Sequence, residues 1–290
     1  HQAWSRVKSV NSPALGIVLD SFHVLARGDT LQRLGEVPPE KITFVQMADA
    51  PLMKMDILEW SRHFRCFPAQ GQLPLVDFAC DLTRCGYRGP WSLEIFNDSF
   101  RASPNGATAK DGYRSLLWLE EQVRQRLPES RAPLFAPVEL PLYAGLEFIE
   151  FAAAPAQAGE LGQTLAQLGF AEEGSHRSKR VSLWRNGGAR VVVNAQPHSW
   201  ADHFHQRHGV SLCAMALRVS QSAAIVERAR AYGYATWQGD AGPNESPIPA
   251  VCAPDGSLIY LIEVGDDIYT RDFHLRANLT PRDDYQGICL

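Results

Sequence analysis

No apolar run in this 290-residue chain reaches the roughly 18 residues of a membrane-crossing helix. Neither charge dominates: 28 Lys and Arg stand against 32 Asp and Glu, a net charge of −4, which offers no basic surface for nucleic acid and no acidic tail. The six cysteines, at 66, 80, 85, 213, 252 and 289, form no CxxC pair, which argues against a thiolate zinc site. They read as reduced thiols of a cytoplasmic protein. The opening His1-Gln2-Ala3-Trp4 has no cationic region followed by an apolar one, as a secretory signal would. It also has no initiating Met, so the chain is expected to be a processed or partial piece. With 45% hydrophobic and 21% charged residues the composition is that of a globular protein, long enough for two domains.

The most informative stretch is Leu15-Gly16-Ile17-Val18-Leu19-Asp20-Ser21-Phe22-His23. A short apolar run after a Gly predicts a strand buried on both faces. It stops at an acid, at the strand end where parallel α/β folds place their chemistry. The pattern recurs where 41–45 runs into Gln46 and where Trp91-Ser92-Leu93 delivers Glu94. Between these strands, Leu31 and Leu34 mark a short helical stretch, and Leu75, Phe78, Ala79 and Leu82 a longer one closed by Gly86. Tyr113, Leu116, Leu117, Glu120 and Val123 mark a third helix. Residues 50–72 and 97–107 read as loops. Alternating strands and helices imply a parallel sheet.

Prolines 128, 133, 137 and 141 give residues 128–145 a linker composition. Beyond them the pattern changes and repeats. A strand at 146–152, a helix carrying Leu161, Leu165 and Leu168, and a hairpin around Gly187-Gly188 form one unit. A strand at 211–219, a helix at 223–232 and strands flanking Asp255-Gly256 repeat it. The grammar is βαβββ twice, which predicts one module of two matching halves. His198, His203, His205 and His208 lie between them and read as exposed residues of a polar loop. The chain thus divides into 1–127, a linker 128–145, a module 146–270 and a connector 271–290.

Asp20, Gln46 and Glu94 are hard oxygen donors suited to Mg²⁺ or Mn²⁺. Such a cation polarises a carbonyl and stabilises an enolate. His23, close to Asp20, suits a general base, and Arg65 suits a substrate carboxylate. Each of these residues alone has an ordinary reading as a cap, a solvated loop residue or a structural His, and spacing alone leaves a metal site and its absence equally open.

Leu19-Asp20-Ser21-Phe22-His23, Phe44-Val45-Gln46-Met47-Ala48-Asp49, Arg62-His63-Phe64-Arg65-Cys66-Phe67-Pro68 and Ser92-Leu93-Glu94-Ile95-Phe96-Asn97 together resemble the bacterial 3-dehydroshikimate dehydratases. That resemblance implies an α/β plus α+β architecture: the C-terminal part of a xylose-isomerase-like TIM (β/α)8 barrel, followed by a 4-hydroxyphenylpyruvate-dioxygenase-like module of the vicinal-oxygen-chelate class. It implies Asp20, Gln46 and Glu94 as metal ligands for Mg²⁺, Mn²⁺ or Co²⁺. It implies His23 as the catalytic residue, and Arg65 with Ser61 as substrate-binding residues. The reaction implied is metal-dependent dehydration of 3-dehydroshikimate to protocatechuate, a hydro-lyase step of quinate and shikimate degradation.

Several departures accompany it. The family's fourth ligand, a Glu on an earlier strand, has no match. Three strands precede the linker where a barrel has eight, and the chain is expected to hold the first half of the dioxygenase-like module. Residues 68–71 read Pro-Ala-Gln-Gly where Pro-Gly-x-Gly is expected. The partner implied is a small-molecule substrate, with no nucleic acid and no membrane, and with homo-oligomerisation open. Two rival readings are a sugar isomerase or epimerase on the same barrel, and an inactive piece whose second module is structural.

Overall fold

Parallel pairing of three short strands sets the geometry of the first half of the chain. A computed structural model describes residues 2–29, 31, 34–239, 245 and 247–277. It separates the chain into two compact units, His1–Pro137 and Val138–Leu290.

In the first unit, α1 (Gln2–Val10) leads into β1 (Ile17–Asp20) and α2 (Ser21–Leu25); β2 (Ile42–Met47) is followed by α3 (Ile57–His63) and α4 (Leu75–Arg84); β3 (Trp91–Leu93) is followed by α5 (Asp98–Arg101) and α6 (Asn105–Arg126). The strands run parallel in the order β1-β2-β3. Asp20 pairs with Gln46 and Gln46 with Ser92, so the three strand ends lie in one layer. The helical spacing read from the sequence holds: Leu75, Phe78, Ala79 and Leu82 of α4 are buried with Val45 and Met47 of β2 and Leu119 and Val123 of α6. Ser21 ties β1 to β2, its hydroxyl donating to the Ala48 carbonyl at 3.0 Å and accepting from the Ala48 amide at 2.8 Å.

Three expectations for this unit are corrected. β1 is not buried on both faces: it is an edge of the described sheet, and Val18 is 57% exposed. The segment 50–72 is not wholly loop. Asp56 caps α3 by accepting from the Leu58 and Glu59 amides, and the helix buries Trp60 and Ser61. The segment 97–107 likewise holds α5, capped by Asn97, and the start of α6.

The second unit contains β4 (Tyr143–Ala152), α7 (Pro155–Gln167), β5 (Ala171–His176), β6 (Val181–Asn186), β7 (Ala189–Asn194), α8 (Trp200–His208), β8 (Ser211–Val219), α9 (Ser222–Ala231), β9 (Thr236–Gln238), β10 (Pro249–Cys252), β11 (Leu258–Glu263), α10 (Ile268–Asp272) and β12 (Phe273–Leu275). The sheet order is β12-β5-β6-β7-β4-β8-β11-β10-β9. The two βαβββ halves meet at the antiparallel β4–β8 pair, and each first strand runs parallel to the last strand of its own half. The twofold repeat read from the sequence is therefore real.

The edges of that reading move. β4 starts at Tyr143, inside the expected linker. Phe273–Leu275, expected as connector, pairs with β5; residues 278–290 of that stretch lie outside the described residues. The histidines at 203, 205 and 208 are on α8 rather than a loop, because Ser199 caps that helix by accepting from the Asp202 amide. Five cysteines are free thiols and Cys289 lies outside the described residues. Burial pushes the Cys66 thiol up to about 12.

Candidate active site

The site is built by capping as much as by strands. Asp20 ends β1 and is the N-cap of α2, where its Oδ1 accepts the His23 amide at 3.2 Å. That leaves Oδ2 free to turn inward. His23, on the first turn of α2, brings Nε2 to 3.6 Å from Asp20 Oδ2. Gln46 lies beside Asp20 on β2 and donates from Nε2 to Glu94 Oε1 at 2.7 Å. Glu94 follows β3 directly, its amide held by the Met47 carbonyl at 3.2 Å.

Arg65 stands at the centre of these groups. It is 1% exposed, and its Nη1 donates to Asp20 Oδ2 at 3.0 Å and to Glu94 Oε2 at 2.9 Å. Nε donates to the Ser61 carbonyl at 2.9 Å and Nη2 to the Ser61 hydroxyl at 2.7 Å. The guanidinium lies 4.8 Å from the Phe22 ring centroid and 5.3 Å from that of Phe96, contacts that favour a cation. Its backbone is pinned from both sides, the amide to the Phe96 carbonyl at 3.2 Å and the carbonyl to Asn97 Nδ2 at 2.9 Å.

The His23–Arg65 contact fixes a proton. Arg65 Nη2 lies 3.1 Å from His23 Nε2. A guanidinium only donates, so in this contact Nε2 is the acceptor. The lone pair of that nitrogen is directed at Arg65.

All six residues singled out in the sequence meet here, in roles that differ from the expectation at two points. Ser61 is 5% exposed and its hydroxyl is taken up by Arg65, so it holds the guanidinium instead of facing open space. Arg65 has every nitrogen engaged by the protein. Phe22, Phe96 and Asn97, which shape the arginine's surroundings, escaped the sequence reading; the Phe-His and Phe-Asn pairs beside Asp20 and Glu94 were the available signal.

The loop that carries Arg65 is anchored by Asp49. Its carboxylate accepts from the amides of Ala50 (2.8 Å), Gly71 (3.1 Å) and Leu73 (3.0 Å). Burial raises its pKa, against the pull of these amides. A Cβ on Gly71 would run into the Asp49 carboxylate and the Ala50 backbone, so only Gly fits there. Ala69 adopts φ 74°, the left-handed region. Ala69→Gly is accordingly expected to stabilise the first unit by about 1 kcal/mol, read as a shifted midpoint in urea unfolding; an unchanged or lowered midpoint would contradict the strain.

The donor set is of the kind a hard cation takes, and Arg65 Nη1 fills its meeting point. Both carboxylates converge on one positively charged nitrogen, Arg65 Nη1, so this point already holds positive charge. Two carboxylates and an amide are hard donors. Gln46 would present its oxygen after a half-turn of the amide. Three protein oxygens leave about half of an octahedral shell for other ligands. Among the described residues no group of three or more His, Cys, Asp or Glu is arranged as a metal site.

Comparison with known proteins agrees with this architecture. Residues 1–122 match the xylose isomerase-like TIM barrel family, and residues 139–274 the N-terminal hydroxyphenylpyruvate dioxygenase family. A solved xylose isomerase-like TIM barrel/4-hydroxyphenylpyruvate dioxygenase fusion protein is 50% identical and superimposes with a TM-score of 0.87, over 95% of this chain and 46% of that one. The chain thus joins a segment of a xylose isomerase-like barrel to a dioxygenase-like module of paired βαβββ units.

The chain is also similar to bacterial proteins named 3-dehydroshikimate dehydratase. It is 50% identical to the Pseudomonas putida enzyme of that name over 96% of its length and 45% of the relative's. It is 52% identical to the Pseudomonas aeruginosa one over 94% and 44%. The resemblance read from four short motifs therefore extends over nearly the whole chain, and the chain spans about 45% of the relatives it matches.

Proposed function

We propose that this chain carries the site of a 3-dehydroshikimate dehydratase, a metal-dependent hydro-lyase that forms protocatechuate. The observation that supports this most is the convergence of Asp20, Glu94 and Gln46 beside His23 and the Arg65 guanidinium.

Asp20, Gln46 and Glu94 would hold a divalent cation, Mg²⁺, Mn²⁺ or Co²⁺. When bound it supplies Lewis-acid polarisation of the substrate ketone. His23, half exposed at its side chain, takes the acidic proton α to that ketone on Nε2, and the β-hydroxyl leaves. Arg65 would meet the substrate carboxylate by exchanging one of its present partners, Asp20 Oδ2 or Glu94 Oε2, for it. Ser61 orients Arg65 from behind, and Phe22 and Phe96 keep water from its faces. Loss of water and tautomerisation give the aromatic ring.

The protein is read as cytoplasmic; among the described residues no helix is long and apolar enough to cross a membrane. The reaction is tested in a chimera: the matching stretch of the Pseudomonas putida relative is exchanged for this chain and protocatechuate is followed by ultraviolet absorbance. Formation from 3-dehydroshikimate is expected. Turnover of ketoses without protocatechuate would overturn the reading in favour of an isomerase.

A further inference from the structure

The second unit holds a cavity of about 140 Å³, partly open to solvent, that the dehydration does not use. Its wall includes Phe148 and Glu150 of β4, Val192 and Asn194 of β7, Tyr260 of β11, and Trp237 of β9. Alternate residues of β4 and β7 share a face by strand periodicity, and the register sets Glu150 beside Val192. The wall is aromatic: Tyr260 lies edge-on to Trp237 at 5.9 Å and tilted against Phe148 at 6.2 Å.

One feature of this wall is not ordinary packing. Glu150 is 5% exposed, on a strand whose neighbours are apolar. Asn194 Nδ2 donates to its Oε1 at 2.6 Å, and among the described residues no second donor reaches the carboxylate. Glu150 lines the cavity with one protein donor on its carboxylate, which leaves acceptor capacity for a ligand's donor. Tyr260 also lines the cavity, and its hydroxyl has no hydrogen-bond partner among the described residues. Burial and the Glu150 charge raise its pKa well above that of a free phenol, so it stays protonated and can donate.

Size and charge narrow the ligand. A closed cavity of about 150 Å³ holds one benzene ring, so the volume here is matched to a single six-membered ring. Lys179, on the same wall, is committed to Glu245 at 2.7 Å. His176 is held neutral, since burial lowers its pKa and its Nδ1 accepts the Ser178 and Lys179 amides. Asp272 is paired with Arg271 at 2.8 Å. Among the described residues the one cation named on this wall, Lys179, is engaged by Glu245, whereas Glu150 favours a donor.

We propose that this cavity is a binding site for a neutral single-ring phenol or catechol whose hydroxyl donates to the Glu150 carboxylate beside Asn194. A charge-assisted O–H···O⁻ bond is among the stronger hydrogen bonds proteins make, and the aromatic wall supplies the ring contacts. The site lies wholly within Val138–Leu290 and does not depend on the dehydratase reading.

Calorimetric titration of the 290-residue chain with catechol, phenol, benzene and benzoate at about pH 8 tests this. Saturable binding of phenol and catechol is expected, with benzene weaker and benzoate weaker still. Glu150→Gln should weaken catechol about tenfold and leave benzene unchanged. Val192→Phe, which fills the cavity, should abolish binding of every ring. Should that variant not fold, Glu150→Gln decides alone. No binding at millimolar concentration would mean a cavity that holds only water and would overturn the proposal. Benzene binding as tightly as catechol, or a Glu150→Gln protein that binds catechol unchanged, would also overturn it.

Discussion

Glu150→Gln is expected to stabilise the second unit by about 3 kcal/mol above neutral pH and to change little under acid conditions. The carboxyl is fully buried, and burial pushes it up to about 7 from the ordinary 4.5, against the pull of Asn194 and Lys179. Below pH 4.5 it is protonated in both folded and unfolded chains, so it carries no penalty. Between 4.5 and about 7 the unfolded chain releases a proton that the folded chain keeps, and stability falls as pH rises. Above about 7 both are ionised and the full cost of the buried charge is present. The gap between 4.5 and about 7 corresponds to about 3 kcal/mol. A Gln of the same shape still accepts from Asn194 and never ionises, so its stability profile lacks this slope. Urea unfolding at several pH values, with hydrogen exchange in β4 as the local reporter, measures it. Parallel profiles for the two proteins would show that Glu150 is not buried as an ionisable acid.

Arg65→Met should have the opposite sign and comparable size. The substitution keeps much of the side-chain volume between Phe22 and Phe96 but leaves Asp20 and Glu94 facing one another without a cation. Removing one partner of a buried ion pair costs about 3–5 kcal/mol. The lower end applies here because the Glu94 side chain is 31% exposed. Urea unfolding of the first unit should therefore weaken by about 3 kcal/mol. Mn²⁺ should restore much of it: at about a hundredfold excess over its dissociation constant a ligand adds about 2.7 kcal/mol. The same Mn²⁺ should stabilise the unsubstituted protein less, since Arg65 already neutralises both carboxylates. Unchanged stability of Arg65→Met, or no response to Mn²⁺, would contradict the description of this cluster.

The sequence was most legible where one strand or helix determines its own pattern. Apolar runs ending at Asp20, Gln46 and Glu94 locate three strand ends, because in a parallel sheet the polar residue after the run marks where the strand leaves the core. The βαβββ repeat is legible for a similar reason: Gly187-Gly188 and Asp255-Gly256 punctuate hairpins on their own. Helix α3 escapes the sequence reading because its apolar face, Ile57 and Trp60, is short and follows a stretch opened by Pro51, while its cap, Asp56, looks like any loop acid. The burial of Arg65 is a long-range property. Ser61 is four residues away, but Asp20 and Glu94 come from separated segments, and no local window contains them. Glu150 did leave a trace. In Glu147-Phe148-Ile149-Glu150-Phe151 it shares the face of Phe148, an acid at a position where the alternation calls for an apolar residue.

The central claim is that the three strand ends and His23 perform one reaction. Protocatechuate formation by the Pseudomonas putida chimera tests it most directly, with and without a chelator, beside its His23→Ala and Glu94→Ala variants. Activity that disappears with the chelator, returns with Mg²⁺ or Mn²⁺ and is lost in both variants is the predicted result. Activity that survives the chelator or either substitution would contradict it.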